Sequence, residues 1–147
     1  MGDYKTAEEF SLKSLRYRQN SNASDLEISR SYHKLGWIYE IVDIDKSFKY
    51  YKKSLDIKEK IQPTHPDTLT IYNNIGRLYD RRKNYAKALS YYFKSLSIQE
   101  EYLLRKDPNT AMLYSNIGLV YMKINKYHNA LEYLKKSLNI PLPSFCQ

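Results

Sequence analysis

Apolar residues return at every third or fourth position over most of this chain. Tyr72, Ile75, Leu78 and Tyr79 mark one such segment, and Tyr85, Ala88, Leu89, Tyr92 and Leu96 mark the next. Steps of three and four gather side chains on one face of an α-helix, whereas a strand would alternate. Carried along the chain, the pattern predicts seven amphipathic helices, over 4–19, 25–42, 46–61, 66–82, 85–104, 108–123 and 127–140. Their starts carry chemistry that satisfies free amide groups. Ser24-Asp25-Leu26-Glu27 spells a capping box, while His65-Pro66 and Asp107-Pro108 put proline in a first turn, where no amide hydrogen is needed. The turns within pairs, near Asp43 to Asp45, Lys83-Asn84 and Asn125-Lys126, supply Asn or Asp, residues that tolerate the left-handed conformation closing a helix.

One template generates the helices. Gly36, Gly76 and Gly118 sit in the phrases Tyr32-His33-Lys34-Leu35-Gly36-Trp37-Ile38-Tyr39, Tyr72-Asn73-Asn74-Ile75-Gly76-Arg77-Leu78-Tyr79 and Tyr114-Ser115-Asn116-Ile117-Gly118-Leu119-Val120-Tyr121. The glycines are spaced by 40 and then 42 residues, the mark of a repeat protein. A second shared phrase follows each, running from Ser47, Ala88 or Ala130 through Ser54, Ser95 or Ser137 to Ile57, Ile98 or Ile140, and a partial copy from Gly2 to Ser14 opens the chain. Glycine inside a helix costs about 1 kcal/mol relative to alanine, so three in register imply a close helix approach. Ser47, Ala88 and Ala130 are the small residues expected to return that contact. Of sixteen tyrosines, all but Tyr17 and Tyr102 fall on template positions, which makes them packing residues rather than an aromatic binding platform.

The order of tyrosine, aliphatic, glycine and tyrosine, then alanine, an aromatic and a small residue, resembles the tetratricopeptide repeat over residues 2–140. The unit is longer than the 34-residue form, and its His65-Pro66-Asp67-Thr68 entry and Tyr72-Asn73-Asn74-Ile75 phrase are similar to the repeats of kinesin light chains. The resemblance implies an all-α fold, a right-handed solenoid of antiparallel helix pairs in one domain over 1–140. The second helix of a preceding pair would occupy 4–19, repeats would occupy 25–61, 66–104 and 108–140, and 141–147 would be a tail.

Composition narrows the class. A hydrophobic content of 42% with 27% charged residues is that of a folded protein, and no apolar run approaches the ~20 residues of a membrane span. No apolar leader opens the sequence, and the single Cys146 cannot form an internal disulfide, so a reducing, cytoplasmic setting is expected. Met1 to Thr6 fits the loose pattern for N-myristoylation, but Gly2-Asp3-Tyr4 is also the turn the template predicts. The net charge of +8 raises nucleic acid as a partner. However, Lys49, Lys52, Lys53, Lys87, Lys94, Lys135 and Lys136 are scattered among tyrosines on second helices, which describes a solvated face and no specific nucleic-acid site.

Nothing in the sequence brings a catalytic set together. The glycines are used by the template, so no phosphate-cradling loop exists, and His33, His65 and His128 lie in no metal-ligand spacing. No enzyme activity, cofactor or metal is expected. Adjacent acids such as Glu8-Glu9 and Glu100-Glu101 point apart on a helix.

What the resemblance implies instead is a concave groove lined by first helices. Its floor would be Arg30, His33, Lys34, Trp37, Glu40 and Ile41, then Thr70, Asn73, Asn74, Arg77, Asp80 and Arg81, then Met112, Ser115, Asn116, Leu119, Met122 and Lys123, with none of these needed for the helix pairs themselves. Five bases against two acids make the groove positive, and Asn74 and Asn116 occupy the same place on neighbouring repeats. An asparagine amide can hold a peptide unit without reading its side chain, so the groove suits an extended acidic peptide, with selectivity from arginine. Of the positions that would form a carboxylate clamp for chaperone tails, only Asn74 fits. The leading expectation is a non-catalytic peptide-binding scaffold of the cargo-adaptor kind. The alternative is a structural or regulatory segment of a larger protein. Weak self-association through uncapped ends is expected as well, because stacking neighbours normally cover such faces.

Overall fold

The structure, a computed structural model, describes residues 2–21, 24–102 and 108–140. The expected Asp107 start, residues 103 and 104 of the fifth predicted helix, Cys146 and the 141–147 tail lie outside the described residues. Among the described residues seven helices follow one another: α1 (Gly2–Asn20), α2 (Asp25–Val42), α3 (Ile44–Ile61), α4 (Pro66–Arg81), α5 (Tyr85–Tyr102), α6 (Pro108–Lys123) and α7 (Tyr127–Leu138). They pack as pairs, α2 on α3, α4 on α5 and α6 on α7, with α1 against α2 and the pairs joined through α3 to α4 and α5 to α6.

The helix boundaries follow from side-chain capping. Ser24 and Glu27 close the capping box ahead of α2, and the His65 ring accepts the Asp67 amide at 3.1 Å with Pro66 opening α4. Two expectations are corrected. Gly2-Asp3-Tyr4 is the first turn of α1 rather than a connecting turn, continuous with the helix that runs to Asn20. Asp43 is extended (φ −152°), not left-handed, and serves two helices at once. Its amide donates to Tyr39 O at the end of α2, while its carboxylate accepts the Asp45 and Lys46 amides, starting α3 at Ile44. At the next pair Lys83 takes the left-handed position (φ 58°), freeing Asn84 to accept the Lys87 amide at 3.3 Å; only at the last pair does Asn125 itself take it (φ 59°).

Glycine and serine set the distance within pairs. A Cβ at Gly36 would stand 2.5 Å from the ring of Tyr51, one at Gly76 2.6 Å from Tyr92, and one at Gly118 2.8 Å from Leu134. The glycines therefore make room for a large side chain, and the small residues sit beside that contact: Ser47 donates its hydroxyl to Gly36 O at 2.7 Å. Two turns further along, Ser54, Ser95 and Ser137 donate to the carbonyls of Ser29, Leu69 and Ala111 at 2.8, 3.2 and 2.8 Å. These hydroxyls tie each second helix to its first without adding bulk.

Tyrosine fills the rest. In each pair one second-helix ring meets two first-helix rings seven residues apart: Tyr50 with Tyr32 and Tyr39, Tyr91 with Tyr72 and Tyr79, Tyr133 with Tyr114 and Tyr121. Centroid distances of 5.4 to 6.2 Å are those of favourable aromatic pairs. Of the lysines read from sequence as a solvated face, Lys53, Lys87, Lys94 and Lys136 lie across these rings, Lys53 at 5.3 Å over Tyr32 and Lys136 at 4.8 Å over Tyr133.

Candidate functional site

Successive first helices are joined by a ladder of side chains, and the ladder uses residues that sequence reasoning had assigned to a free groove. Asn74 donates its amide to His33 Nε2 at 3.2 Å, and one junction later Asn116 donates to Asn73 Oδ1 at 2.9 Å. The partners are 41 and 43 residues apart, one repeat in each case. A second rung lies two turns along. Arg77 donates to Glu40 Oε2 at 2.8 Å, Arg81 donates to the Glu40 carbonyl, and Lys123 pairs with Asp80 at 2.6 Å.

Burial follows from the ladder. Asn73 and Asn74 keep only 5% and 7% exposure, because a rung between two helices is shielded by both. Glu40, at 7%, is held by the Tyr51 hydroxyl at 2.6 Å as well as by Arg77. The expectation that groove residues take no part in the helix pairs is thus corrected. Glu40 bonds across its own pair to Tyr51, Ser115 bonds across its own pair to Ser137 at 2.8 Å, and the His33 ring meets Tyr51 edge-on at 5.5 Å. Burial holds the His33 imidazole below its ordinary pKa, the largest influence on it, with a smaller raising effect from Asp67 and a lowering one from Lys58. Desolvation and the bond to Glu40 push the Tyr51 hydroxyl up, so it stays a donor at every physiological pH.

The remaining positions face solvent. Arg30, Lys34 and Arg81 are exposed, Arg77 and Lys123 keep 45% side-chain exposure, and the apolar members are unexpectedly open: Trp37 at 66%, Ile41 at 72%, Leu119 at 47%, with Met112 and Met122 beside Leu119. The first-helix face therefore carries exposed apolar side chains on α2 and α6 and cations on all three first helices. Between α4 and α6 it deepens into a small open cleft of about 90 Å³, where Thr70, Asn73 and Arg77 face Met112 and Leu113, with Gln99 of α5 at the back. Among the described residues no three His, Cys, Asp or Glu side chains gather, and no helix is long and apolar enough to cross a membrane. The alternation of acid at Glu40 and Asp80 with base at Arg81 and Lys123 one repeat later was the sequence signal for the second rung.

A stack of antiparallel helix pairs that displays one helix of every pair on an open, cleft-bearing face is a helical-repeat interaction scaffold. The pattern of the tetratricopeptide repeat matches residues 42–101 and 67–141, and the chain belongs to that family. No curated protein matches the sequence. Among solved structures, BtubC (BKLC) from P. vanneervenii is similar at 20% identity and a TM-score of 0.90, covering 99% of this chain and 60% of its own. The nearly identical TPR-like repeats of a Podospora anserina protein assigned to the kinesin light chains match at 18% identity and a TM-score of 0.80, over 97% of this chain and 71% of that one. The N-terminal domain of stress-induced protein-1 from C. elegans matches at 21% identity and a TM-score of 0.63, over 78% and 85%. The chain thus spans 60% of the length of BtubC, and at these identities the likeness is one of fold.

Proposed function

We propose that the chain is a non-catalytic scaffold, cytoplasmic and adaptor-like, that holds an extended acidic segment of a partner protein along its first-helix face. The cleft between α4 and α6 carries this reading. Neighbouring helices lie ~8–10 Å apart, so about three residues of extended chain at ~3.3 Å each would pass from Arg77 to Met112. Arg30, Lys34, Arg77, Arg81 and Lys123 against Glu40 and Asp80 leave three positive charges in excess on the face, five minus two. Arg77 and Arg81 spend one bond each on Glu40 and keep further donors for a ligand carboxylate. Asn73, Asn74 and Asn116 contribute chiefly by holding the repeats in register, with Ser115 and His33 behind them, while Leu119 and Met112 offer apolar contact.

Weak self-association through α7 belongs to the same proposal, since Leu131 and Leu138 stand 53% and 84% exposed there. The test is fluorescence anisotropy with an acidic peptide and its neutralised twin. Arg77→Gln with Arg81→Gln keeps hydrogen-bonding capacity and removes charge, so it is expected to weaken the acidic peptide and spare the twin at unchanged helicity. Equal binding of the acidic peptide by variant and parent would move the site elsewhere.

A further inference from the structure

Where α3 meets the end of α4, a hollow opens that the first-helix face does not share. It is lined by Phe48, Lys49 and Lys52 of α3, by Tyr79 of α4 and by Arg82 just beyond that helix. Two residues along a helix span about 200°, so Tyr79 points away from Arg77 and the face described above. The floor of the hollow is aromatic and already covered. Phe48 meets the Tyr79 ring edge-on at 4.7 Å, the Arg82 guanidinium lies 4.7 Å over Phe48, and Lys87 of α5 reaches over Tyr79 at 5.3 Å. Cations from three directions thus surround one place. Lys49 and Lys52, read from sequence as part of a solvated face, are exposed and form no ion pair among the described residues. Of the neighbouring acids, Asp45 is taken by Arg82, and Asp56 stands one turn beyond Lys52.

The repeat supplies its own control. In template register Lys49, Lys52 and Arg82 correspond to Ser90, Phe93 and Ile124 at the following junction and to Glu9, Leu12 and Val42 at the preceding one, whereas tyrosine stands at 39, 79 and 121 alike. Packing keeps the ring and does not call for the three cations. Both helix pairs that form this junction are present, α2 with α3 and α4 with α5, so a further repeat at either end of the array would leave the hollow open.

We infer that this hollow binds a phosphate monoester, the phosphorylated side chain of a partner polypeptide. Such a group carries a charge of about −1.5 to −2 at neutral pH and three acceptor oxygens, which suits cations arriving from several directions better than a carboxylate does. The guanidinium of Arg82 spends one bond on Asp45 and keeps further donors for the phosphate. A nucleic-acid strand is a poorer fit, because its bases stack on open rings, and here the rings are taken by Arg82, Lys87 and Tyr91. A membrane is a poorer fit as well. Its acyl region takes up exposed apolar side chains, whereas Phe48 is buried and Tyr79 half-buried.

The probe is a short glycine and alanine peptide with one central phosphoserine, titrated to millimolar concentration into the isotope-labelled chain and followed by amide NMR shifts. Saturable shifts are expected at Lys49, Lys52 and the turn from Arg82 to Lys83. A twin with glutamate in place of phosphoserine is expected to bind roughly tenfold more weakly, having lost charge and an acceptor oxygen. Because Lys49 and Lys52 are exposed, the double variant Lys49→Gln with Lys52→Gln retains its circular dichroism. It binds the phosphopeptide roughly tenfold more weakly and holds the acidic peptide of the first-helix face as tightly as the parent does, which separates the two sites. Absence of saturable shifts, equal affinity for the glutamate twin, or an unchanged titration with the double variant overturns the inference. An equal loss of phosphopeptide affinity in Arg77→Gln with Arg81→Gln moves the phosphate to the first-helix face and overturns it too. Tighter binding of oligothymidylate, or of phosphatidylserine vesicles, that the double variant abolishes assigns the hollow to nucleic acid or to a membrane, and overturns it likewise.

Discussion

Asn116 donates its side-chain amide to Asn73 across the last junction between helix pairs, over 2.9 Å. One repeat earlier Asn74 makes the equivalent bond to His33. Both rungs are shielded by the helices they join, so each costs desolvation and offsets it only while both partners are present. A ladder of this kind fixes the pitch between successive pairs, and with it the curvature of the face that a ligand would meet.

Asn74→Ala removes a rung and strands His33 Nε2, while the N–H of the exposed Arg77 that reaches Asn74 Oδ1 at 3.4 Å turns to water. Leaving a buried polar group unsatisfied costs ~1–3 kcal/mol, and chemical denaturation of the variant is expected to show a loss in that range. An unchanged midpoint would mean that water replaces the rung and that the junction is looser than the geometry indicates.

Gly76→Ala tests the close approach within a pair. The added Cβ would stand 2.6 Å from the ring of Tyr92, a side chain only 1% exposed and with no room to withdraw. Alanine's better helix propensity returns about 1 kcal/mol, while overpacking costs ~1–3 kcal/mol, so net destabilisation is expected. In a double-mutant cycle with Tyr92→Ala the two substitutions are expected to be strongly non-additive. Additive losses would show that Gly76 is there for backbone reasons alone.

The helices and their starts were legible because capping and periodicity are local: the Ser24 to Glu27 box and the step from Ile75 to Leu78 concern residues within one turn or two. The glycine phrase was legible as a packing site returned by Ser47, but that the Tyr51 ring also fills the space over Gly36 depends on which way a ring swings between two helices. The ladder was not legible for a different reason. Whether Asn74 faces solvent or His33 is set by how far one helix pair rotates on the next, and that rotation is the sum of contacts made by residues about 40 positions away. Exposure of Trp37 and Ile41 belongs to the same class, since the same positions bear Arg77 and Arg81 one repeat later.

His33 supplies a pH dependence. Its imidazole titrates below its ordinary value of 6.5 in the folded chain because burial disfavours the cation. Above 6.5 both states hold a neutral ring and His33 contributes no slope. As pH falls below 6.5 the unfolded chain binds a proton that the folded chain resists, so stability declines until the folded value is reached. Urea denaturation at pH 7.0 and 5.0 is expected to show a decline that His33→Asn reduces. An identical pH slope in the variant would assign the decline to other groups.

The ion pair between α3 and α4 separates the value of a charge from the cost of stranding one. Lys58 is 1% exposed and reaches Asp67 at 2.9 Å, with Gln62 Oε1 at 3.5 Å as its other acceptor. The hydrogen bond from Lys58 holds the Asp67 carboxyl below its ordinary 3.8, so its contribution is complete above that value and lost as pH falls through the depressed one. Removing one partner of a buried pair costs ~3–5 kcal/mol, whereas replacing the charged group by an apolar one of similar volume is often neutral. Asp67 is 41% exposed, so water can partly replace it, and about 2 kcal/mol is the expected loss for Asp67→Ala. Lys58→Met is expected to cost less than Asp67→Ala, although it removes the same bond, because it leaves no ammonium group inside. If thermal melting instead ranks Lys58→Met as the more damaging change, the ammonium group is a net stabiliser of this junction and the pair is held by attraction rather than by the cost of breaking it.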